Sequence, residues 1–305
     1  MIKGLAITPP VIGRIAIGHV VEKNGKRLPE KDDFFTITTQ VQTWDGWMLH
    51  PLQTQLAEGI PNGKLRAIPV RLLFNAPDLN LRAQYSLFDR NTGRPVCVGD
   101  GETARRRTQE GLQELPCLGP DGCEFGRTGG CKLFGRLNVQ IDGQDDDLGS
   151  FIFRTTGYNS IRTLAARLAY FDAVSGGLAK YMPLLLRLRG KSTTLSYRTP
   201  VYYVDLTLRE GKTLAEVVGV ARQAAEQHAE QGVDAVRLEE AARGAMANGC
   251  FEESDDEVPD VLDEFYPERS GTDLDEPKPQ APAVPTTPIR RSSLTPRLPK
   301  SAATT

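Results

Sequence analysis

Histidine is scarce in this chain. His19, His50 and His228 are the full complement, and they stand far apart. Isolated imidazoles of this kind read as structural or solvated side chains, which argues against a histidine-centred catalytic site. The phosphate loop G-x-x-x-x-G-K-[ST] is missing, as are G-x-S-x-G, H-E-x-x-H and the Rossmann glycine fingerprint. No apolar stretch approaches the roughly 20 residues of a membrane-spanning helix. The run Ile12-Gly13-Arg14-Ile15-Ala16-Ile17 is too short for a signal peptide and is broken by charge. These absences exclude a nucleotide-cradling loop and a zincin site, and they point to a cytoplasmic protein. No repeat of 20–50 residues is visible.

Net charge is nearly absent as well, at −2, but it is unevenly spread. Residues 251–305 carry twelve acids and six bases, a balance of −6, which leaves residues 1–250 at +4. Mild basicity permits contact with nucleic acid without requiring it. Within the tail, Glu252 to Glu276 holds all twelve acids and one base, Arg269. Lys278 to Lys300 is interspersed with proline and carries Arg290, Arg291, Arg297 and Lys300. Such composition buries too little apolar surface to offset its ordering entropy, so disorder is predicted from about residue 252. A short apolar cluster, Val258, Val261, Leu262, Phe265 and Tyr266, interrupts it and could fold as a turn of helix on a partner.

Cysteine is rare, at five residues, yet three of the five fall within fifteen positions: Cys117, Cys123 and Cys131. The intervening sequence is rich in glycine and poor in large apolar side chains, so it has no core of its own. Converging thiolates are ready zinc ligands, and Cys97 can supply the fourth of a closed tetrahedral site. A loop of about 97–131 holding structural Zn2+ is therefore expected. A disulfide and unconstrained thiols are the competing readings, and a histidine could stand in for Cys97. A closed site leaves no open position for water, which argues against zinc hydrolysis. Cys250 is isolated. The run Asp145-Asp146-Asp147 reads as a solvated turn, because consecutive acids on a hairpin point in different directions.

The hydrophobic pattern predicts an α+β fold with a mainly antiparallel sheet and packed helices. Strands are expected at Phe34 to Val41 and at Leu65 to Phe74. Hairpins are expected at Ala83 to Phe88 with Arg94 to Val98, and at Arg136 to Ile141 with Gly149 to Thr155. A helix capped by Ser160 carries Ile161, Leu164, Leu168 and Phe171 at helical spacing and ends at Gly176-Gly177. Leu184 to Arg189 pairs with Val201 to Leu208, and helices start at Thr213 and Asp234. The expected organisation is one α+β domain over 1–250 and a disordered tail over 251–305.

The strand-to-helix turn from Arg154 to Arg162 suits an anion, because a helix N-terminus offers free N–H groups. Arg154 and Arg162 flank it, with Thr155, Thr156 and Ser160 supplying hydroxyls. Arg187, Arg189 and Lys191 add charge, as does Arg105-Arg106-Arg107. Ordinary capping with surface arginines is the alternative; together these residues would form a phosphate-tracking surface.

The order of motifs is also informative. A cysteine-bearing glycine loop leads into Cys131-Lys132-Leu133-Phe134-Gly135-Arg136-Leu137. Gly149-Ser150-Phe151-Ile152-Phe153-Arg154-Thr155-Thr156-Gly157-Tyr158-Asn159-Ser160-Ile161 follows, then Gly176-Gly177 and a strand at Pro183 to Arg189. This resembles a phage and mobile-element family that includes recombination directionality factors of large serine integrases, often labelled hydrolase or metal-binding protein. The resemblance spans about 1–250, densest at 97–209. It implies binding rather than turnover: docking on a serine integrase at its attachment sites and favouring excision, with DNA met directly or through the integrase. The rival reading is a zinc-stabilised DNA-binding recombination or replication protein, such as a single-strand annealing protein.

Overall fold

The computed structural model describes residues 4–5, 9–23, 26–44, 46–89, 92, 94–192, 194, 197–247, 249–251 and 258–266. The chain divides into one unit over Met1–Pro267 and a second over Glu268–Thr305. The second unit lies outside the described residues, and so does the disorder expected of it.

In chain order the strands are β1 (Gly4–Leu5), β2 (Val11–Lys23), β3 (Lys26–Thr43), β4 (Gly46–Leu49), β5 (Ala67–Arg71), β6 (Leu81–Phe88), β7 (Pro95–Gly99), β8 (Thr103–Thr108), β9 (Gly111–Pro116), β10 (Lys132–Ile141), β11 (Ser150–Thr155), β12 (Leu184–Lys191), β13 (Val201–Leu208) and β14 (Gly249–Phe251). The helices are α1 (Pro51–Ala57), α2 (Pro77–Asn80), α3 (Gly119–Gly122), α4 (Glu124–Gly129), α5 (Tyr158–Ser175), α6 (Leu214–Glu230), α7 (Ala235–Ala247) and α8 (Val258–Phe265). The class is α+β, with a large and mainly antiparallel sheet.

Among the described residues, twelve strands share one sheet, in the path β4-β3-β2-β11-β10-β6-β7-β8-β9. The β2–β11 pair is parallel, and the other neighbours on this path are antiparallel. Strand β10 serves two partners along its length. Residues Lys132 to Leu137 pair with β6, while Gln140 and Ile141 pair with β5. Through β5 the sheet continues into β12 and β13. This branch brings β12 and β13 over the face where Phe35, Ile37, Leu137, Phe151 and Phe153 lie, all fully buried in one apolar cluster with Leu184, Leu186, Val204 and Leu206.

Helix α5 completes that layer with Leu164, Leu168 and Phe171. It ends at Gly176, whose φ of 69° is the left-handed conformation that glycine adopts at low cost. Its start differs from expectation. Gly157 is the N-cap, and Ser160 lies one turn inside, buried, where its Oγ accepts the Val204 N–H at 3.0 Å. Ser160 therefore joins α5 to β13. The helix expected from Thr213 is α6, which opens with a reciprocal capping box between Thr213 and Glu216.

The expected boundary at 250 does not hold. Val258 to Tyr266, read from composition as part of the disordered tail, forms α8 and packs on the domain. Val258, Val261 and Tyr266 are buried against Phe88 and Phe134. The apolar cluster read as a turn of helix that could fold on a partner folds instead on this chain, with 258, 261, 262 and 265 on one helix face.

Candidate functional site

Two groups of polar side chains stand out. The first is the cysteine cavity. Cys97 lies on β7 opposite Leu87 and Arg106, Cys117 follows β9, Cys123 caps α4, and Cys131 leads into β10. The two hairpins β6–β7 and β8–β9, with the short helices α3 and α4, turn all four thiols toward a single cavity of about 20 Å3, which also receives Arg106, Phe125, Gly99 and Gly126. That volume suits one small ion or one water. Gly99 is required by the crowding, and Gly126 fits it tightly. A Cβ on Gly99 would meet Cys117 Sγ at 2.6 Å, and one on Gly126 would touch Cys131 Cβ at 3.2 Å.

The Cys123 Sγ accepts from the Gly126 N–H at 3.3 Å and from Arg106 Nη2 at 3.5 Å. The Arg106 guanidinium also sits 4.1 Å from the Phe125 ring centroid. Burial, then the proximity of Cys97, Cys117 and Cys123, pushes the Cys131 thiol up to about 12. The four cysteines are free thiols. No group of three or more His, Cys, Asp or Glu among the described residues is arranged to hold a metal ion as the side chains stand. The convergence on one cavity is nevertheless plain from its lining, and its fourth thiol is Cys97 rather than a histidine. The sequence did not reveal Arg106. Alternation along β8 turns it to the cysteines while Arg105 and Arg107 are exposed.

The second group is an open groove of about 550 Å3 between α5 and the β12–β13 pair. It is lined by Asn159, Arg162, Thr163, Ala166, Arg167 and Tyr170 of α5, with Lys191 and Tyr203. Beside it Asp205, 2% exposed, receives Arg167 Nε at 3.0 Å and Arg189 Nε at 2.6 Å. One buried carboxylate thus holds two guanidinium groups, each about two-fifths exposed, at the groove edge. Arg187, directly opposite Asp205 across the strands, reaches instead to Glu210 at 2.6 Å.

The expected phosphate-tracking set is therefore divided. Arg162 and Lys191 meet in the groove, and Arg189 borders it through Asp205. Ser160 is buried and engaged with β13. Thr156 is half-buried, and the neighbouring Thr155 Oγ1 accepts the Gly157 N–H at 3.0 Å. Arg154 alternates with the core residue Phe153 and stands on the other side of the sheet, where its charge bears on Glu264 of α8. The residues missed were Arg167, Tyr170 and Tyr203. For the two on α5 the signal was the spacing of Thr163, Arg167 and Tyr170, a polar stripe beside Leu164, Leu168 and Phe171.

The aspartate run behaves as a turn: the Asp146 carboxylate accepts the N–H groups of Leu148 and Gly149 at 2.9 and 3.0 Å. No helix among the described residues is long and apolar enough to cross a membrane.

No curated protein and no solved structure matches the chain. Residues 12–209 match the Gp3-like family, described as recombination directionality factor-like. That span runs from β2 to the end of β13 and contains both the cysteine cavity and the groove. It covers well over half of the chain, and on it the protein belongs to the Gp3-like, recombination directionality factor-like family.

Proposed function

We propose that this protein is an accessory factor of site-specific DNA recombination that binds a serine integrase on its attachment sites and favours excision. The observation that carries this is the family match over residues 12–209. On this reading the chain supplies surfaces and the integrase supplies the chemistry. The test is an excision assay on paired hybrid attachment sites with the cognate integrase, together with gel shifts of each component alone and combined. Excision that rises only when this protein is present, with a slower-migrating ternary complex, is the expected result. Excision unchanged by the protein overturns it.

The groove favours a second contribution, direct contact with nucleic-acid phosphates. Arg162, Arg167 and Lys191 line or border a surface that also carries Tyr170 and Tyr203. Guanidinium and ammonium groups track the backbone, and aromatic rings offer stacking platforms for unpaired bases. Changing Arg162 and Lys191 together to Ala should weaken association with single-stranded DNA and flatten its salt dependence, with little change in the thermal melt. Equal salt slopes in both proteins would assign DNA contact to the integrase alone.

Within this function, Cys97, Cys117, Cys123 and Cys131 would hold a structural Zn2+ that fastens β7, β9, α4 and β10 together. The donor set fits: four soft ligands suit zinc, and the cavity has the size of one ion. Bound zinc would stabilise the thiolate forms and tie down a glycine-rich segment. Elemental analysis of protein purified without chelators should give one zinc per chain; a metal-free yet stably folded protein removes this assignment.

A further inference from the structure

The strand register places three arginines side by side. Arg136 of β10 pairs directly with Arg154 of β11 and with Arg82 of β6. Directly paired residues share a face, and neighbouring strands are about 4.8 Å apart. Like charges so placed repel each other, so the row gains from a negative partner above it. Arg14 of β2, opposite Ile152, adds a fourth guanidinium to the same region. Arg136 is only 4% exposed; its Nη2 donates to Gln84 Oε1 at 2.8 Å, and its guanidinium lies 5.3 Å from the Phe134 ring.

Over the Arg14 and Arg154 end of this surface lies α8, while Arg82 at the other end meets Met246 of α7. One acid of α8 meets the arginines, Asp260 at 3.9 Å from Arg14; Glu264 lies near Arg154 and Arg14, but its burial outweighs them and favours the protonated carboxyl. The apolar side of α8 packs on two rings of the sheet, with Phe265 5.5 Å from Phe134 and Tyr266 5.0 Å from Phe88, centroid to centroid. Lys132 Nζ donates to the Phe265 carbonyl at 3.1 Å, and the Tyr266 hydroxyl donates to the Ser86 carbonyl at 3.2 Å. Of this satellite cluster the sheet contributes Phe88 and Phe134, while α8 and the residue after it contribute Val258, Val261, Leu262, Phe265 and Tyr266. The cluster is separate from the main core. Undocking α8 would therefore leave the main core intact and would uncover a groove that combines the arginines with the rings of Phe88 and Phe134. Moreover, α8 lies outside the span that matches the family.

We infer that this groove is a docking site for an acidic amphipathic helix of a partner protein, and that α8 is its built-in occupant, which the partner helix displaces. The partner would present apolar residues at the spacing of 258, 261, 262 and 265 with carboxylates beside them. A helix suits the groove better than a nucleic-acid strand, because the helix already seated there packs apolar side chains on Phe88 and Phe134 while it sets Asp260 beside Arg14. This rests on the reading of the chain as a binding protein, but its test uses neither integrase nor attachment sites, so the two can fail separately.

The experiment uses the full chain and a fluorescent peptide with the sequence of residues 256–267. Val261→Asp with Phe265→Asp undocks α8 in place. That variant should bind the peptide at least tenfold tighter than wild type, a scrambled peptide should not bind, and adding Arg154→Glu should abolish the gain. Equal binding by wild type and variant, or by the scrambled peptide, overturns the proposal. A single-stranded oligonucleotide that competes with the peptide on the variant overturns the choice of partner. Should the variant fail to fold, hydrogen exchange of the wild-type chain decides: amides of residues 261–265 should exchange faster than those of β10. Exchange of both only through global unfolding would make α8 a fixed part of the fold and end the proposal.

Discussion

One face of the large sheet presents Phe35, Ile37, Leu137, Phe151 and Phe153 to α5 and the β12–β13 pair, all at 0% exposure. On the same strands the other face presents Arg14, Arg82, Arg136 and Arg154, with Phe88 and Phe134 under α8. The first face is a continuous apolar layer whose burial drives folding. The second is charged, and one short helix covers its Arg14 and Arg154 end, with Asp260 beside Arg14. The lesson is that a single set of strands can carry stability on one side and recognition on the other, because alternation along a strand lets the two be specified separately.

The largest expected effect tests the first half of this comparison. Phe153→Ala removes a fully buried ring from the inner layer and should cost about 3–5 kcal/mol in denaturant unfolding. Undocking α8 by Val261→Asp should cost about 1–3 kcal/mol in the same measurement, because the satellite cluster it opens is smaller than the main core. Similar losses for the two would break the comparison.

Two smaller effects sharpen it. Asp205→Asn leaves Arg167 and Arg189 without their shared carboxylate. Loss of these charge-assisted hydrogen bonds should cost about 1–3 kcal/mol, while phosphate or DNA affinity of the groove rises because its positive charge is no longer offset. A loss of both stability and anion affinity would mean that Asp205 serves the groove only by holding the arginines in place. Gly99→Ala drives a methyl group toward Cys117 Sγ, the Thr103 carbonyl and Ala104 Cβ, all under 3.0 Å. It should cost about 1–3 kcal/mol and raise the reactivity of the four thiols toward a maleimide probe. An unchanged melt and unchanged thiol reactivity would show that the cavity is looser than its lining implies.

Much of the inner face was legible in the sequence, and the outer face was not. Phe34 to Val41, Arg136 to Ile141 and Gly149 to Thr155 announce themselves by β-branched and aromatic alternation, and α5 by the spacing of Leu164, Leu168 and Phe171. These signals are local. The four cysteines were also found, because rare residues clustered in a glycine loop stand out against composition. The arginine row was invisible for a physical reason: Arg82, Arg136 and Arg154 come from three separate strands, and only the pairing register aligns them. The phosphate-tracking set is only partly gathered, with Arg162 and Lys191 in one groove and Arg154 elsewhere, for the related reason that a residue's face depends on its strand. Arg154 and Phe153 are neighbours in the chain and lie on opposite sides of the sheet. Helix α8 was glimpsed as an apolar cluster, but twelve acids and scattered prolines around it outweighed that cluster, and its docking surface on this same chain was not legible.

The smallest expected effect concerns how pH sets the cover on the outer face. Glu264 of α8 is packed against the sheet, and burial raises its carboxyl to about 7, against the opposing influence of Arg154 and Arg14 and with a further upward push from Asp260. Lys132, held on the Phe265 carbonyl, is the other charged group that α8 meets from β10. An acid whose value is raised in the docked state binds its proton more tightly there than in the open state. Docking is therefore strongest below the ordinary carboxylate range, weakens as pH rises from about 4.5, and reaches its weakest level once pH passes about 7. Hydrogen exchange of residues 261–265, corrected for the intrinsic pH dependence, should thus show protection falling between pH 5 and pH 7.5, while protection of β10 stays level. Glu264→Gln should flatten the profile and keep α8 docked at the higher pH. If protection of α8 instead rises with pH, the ion pairs of Glu264 with Arg14 and Arg154 outweigh its desolvation, and charge rather than apolar packing holds the cover in place.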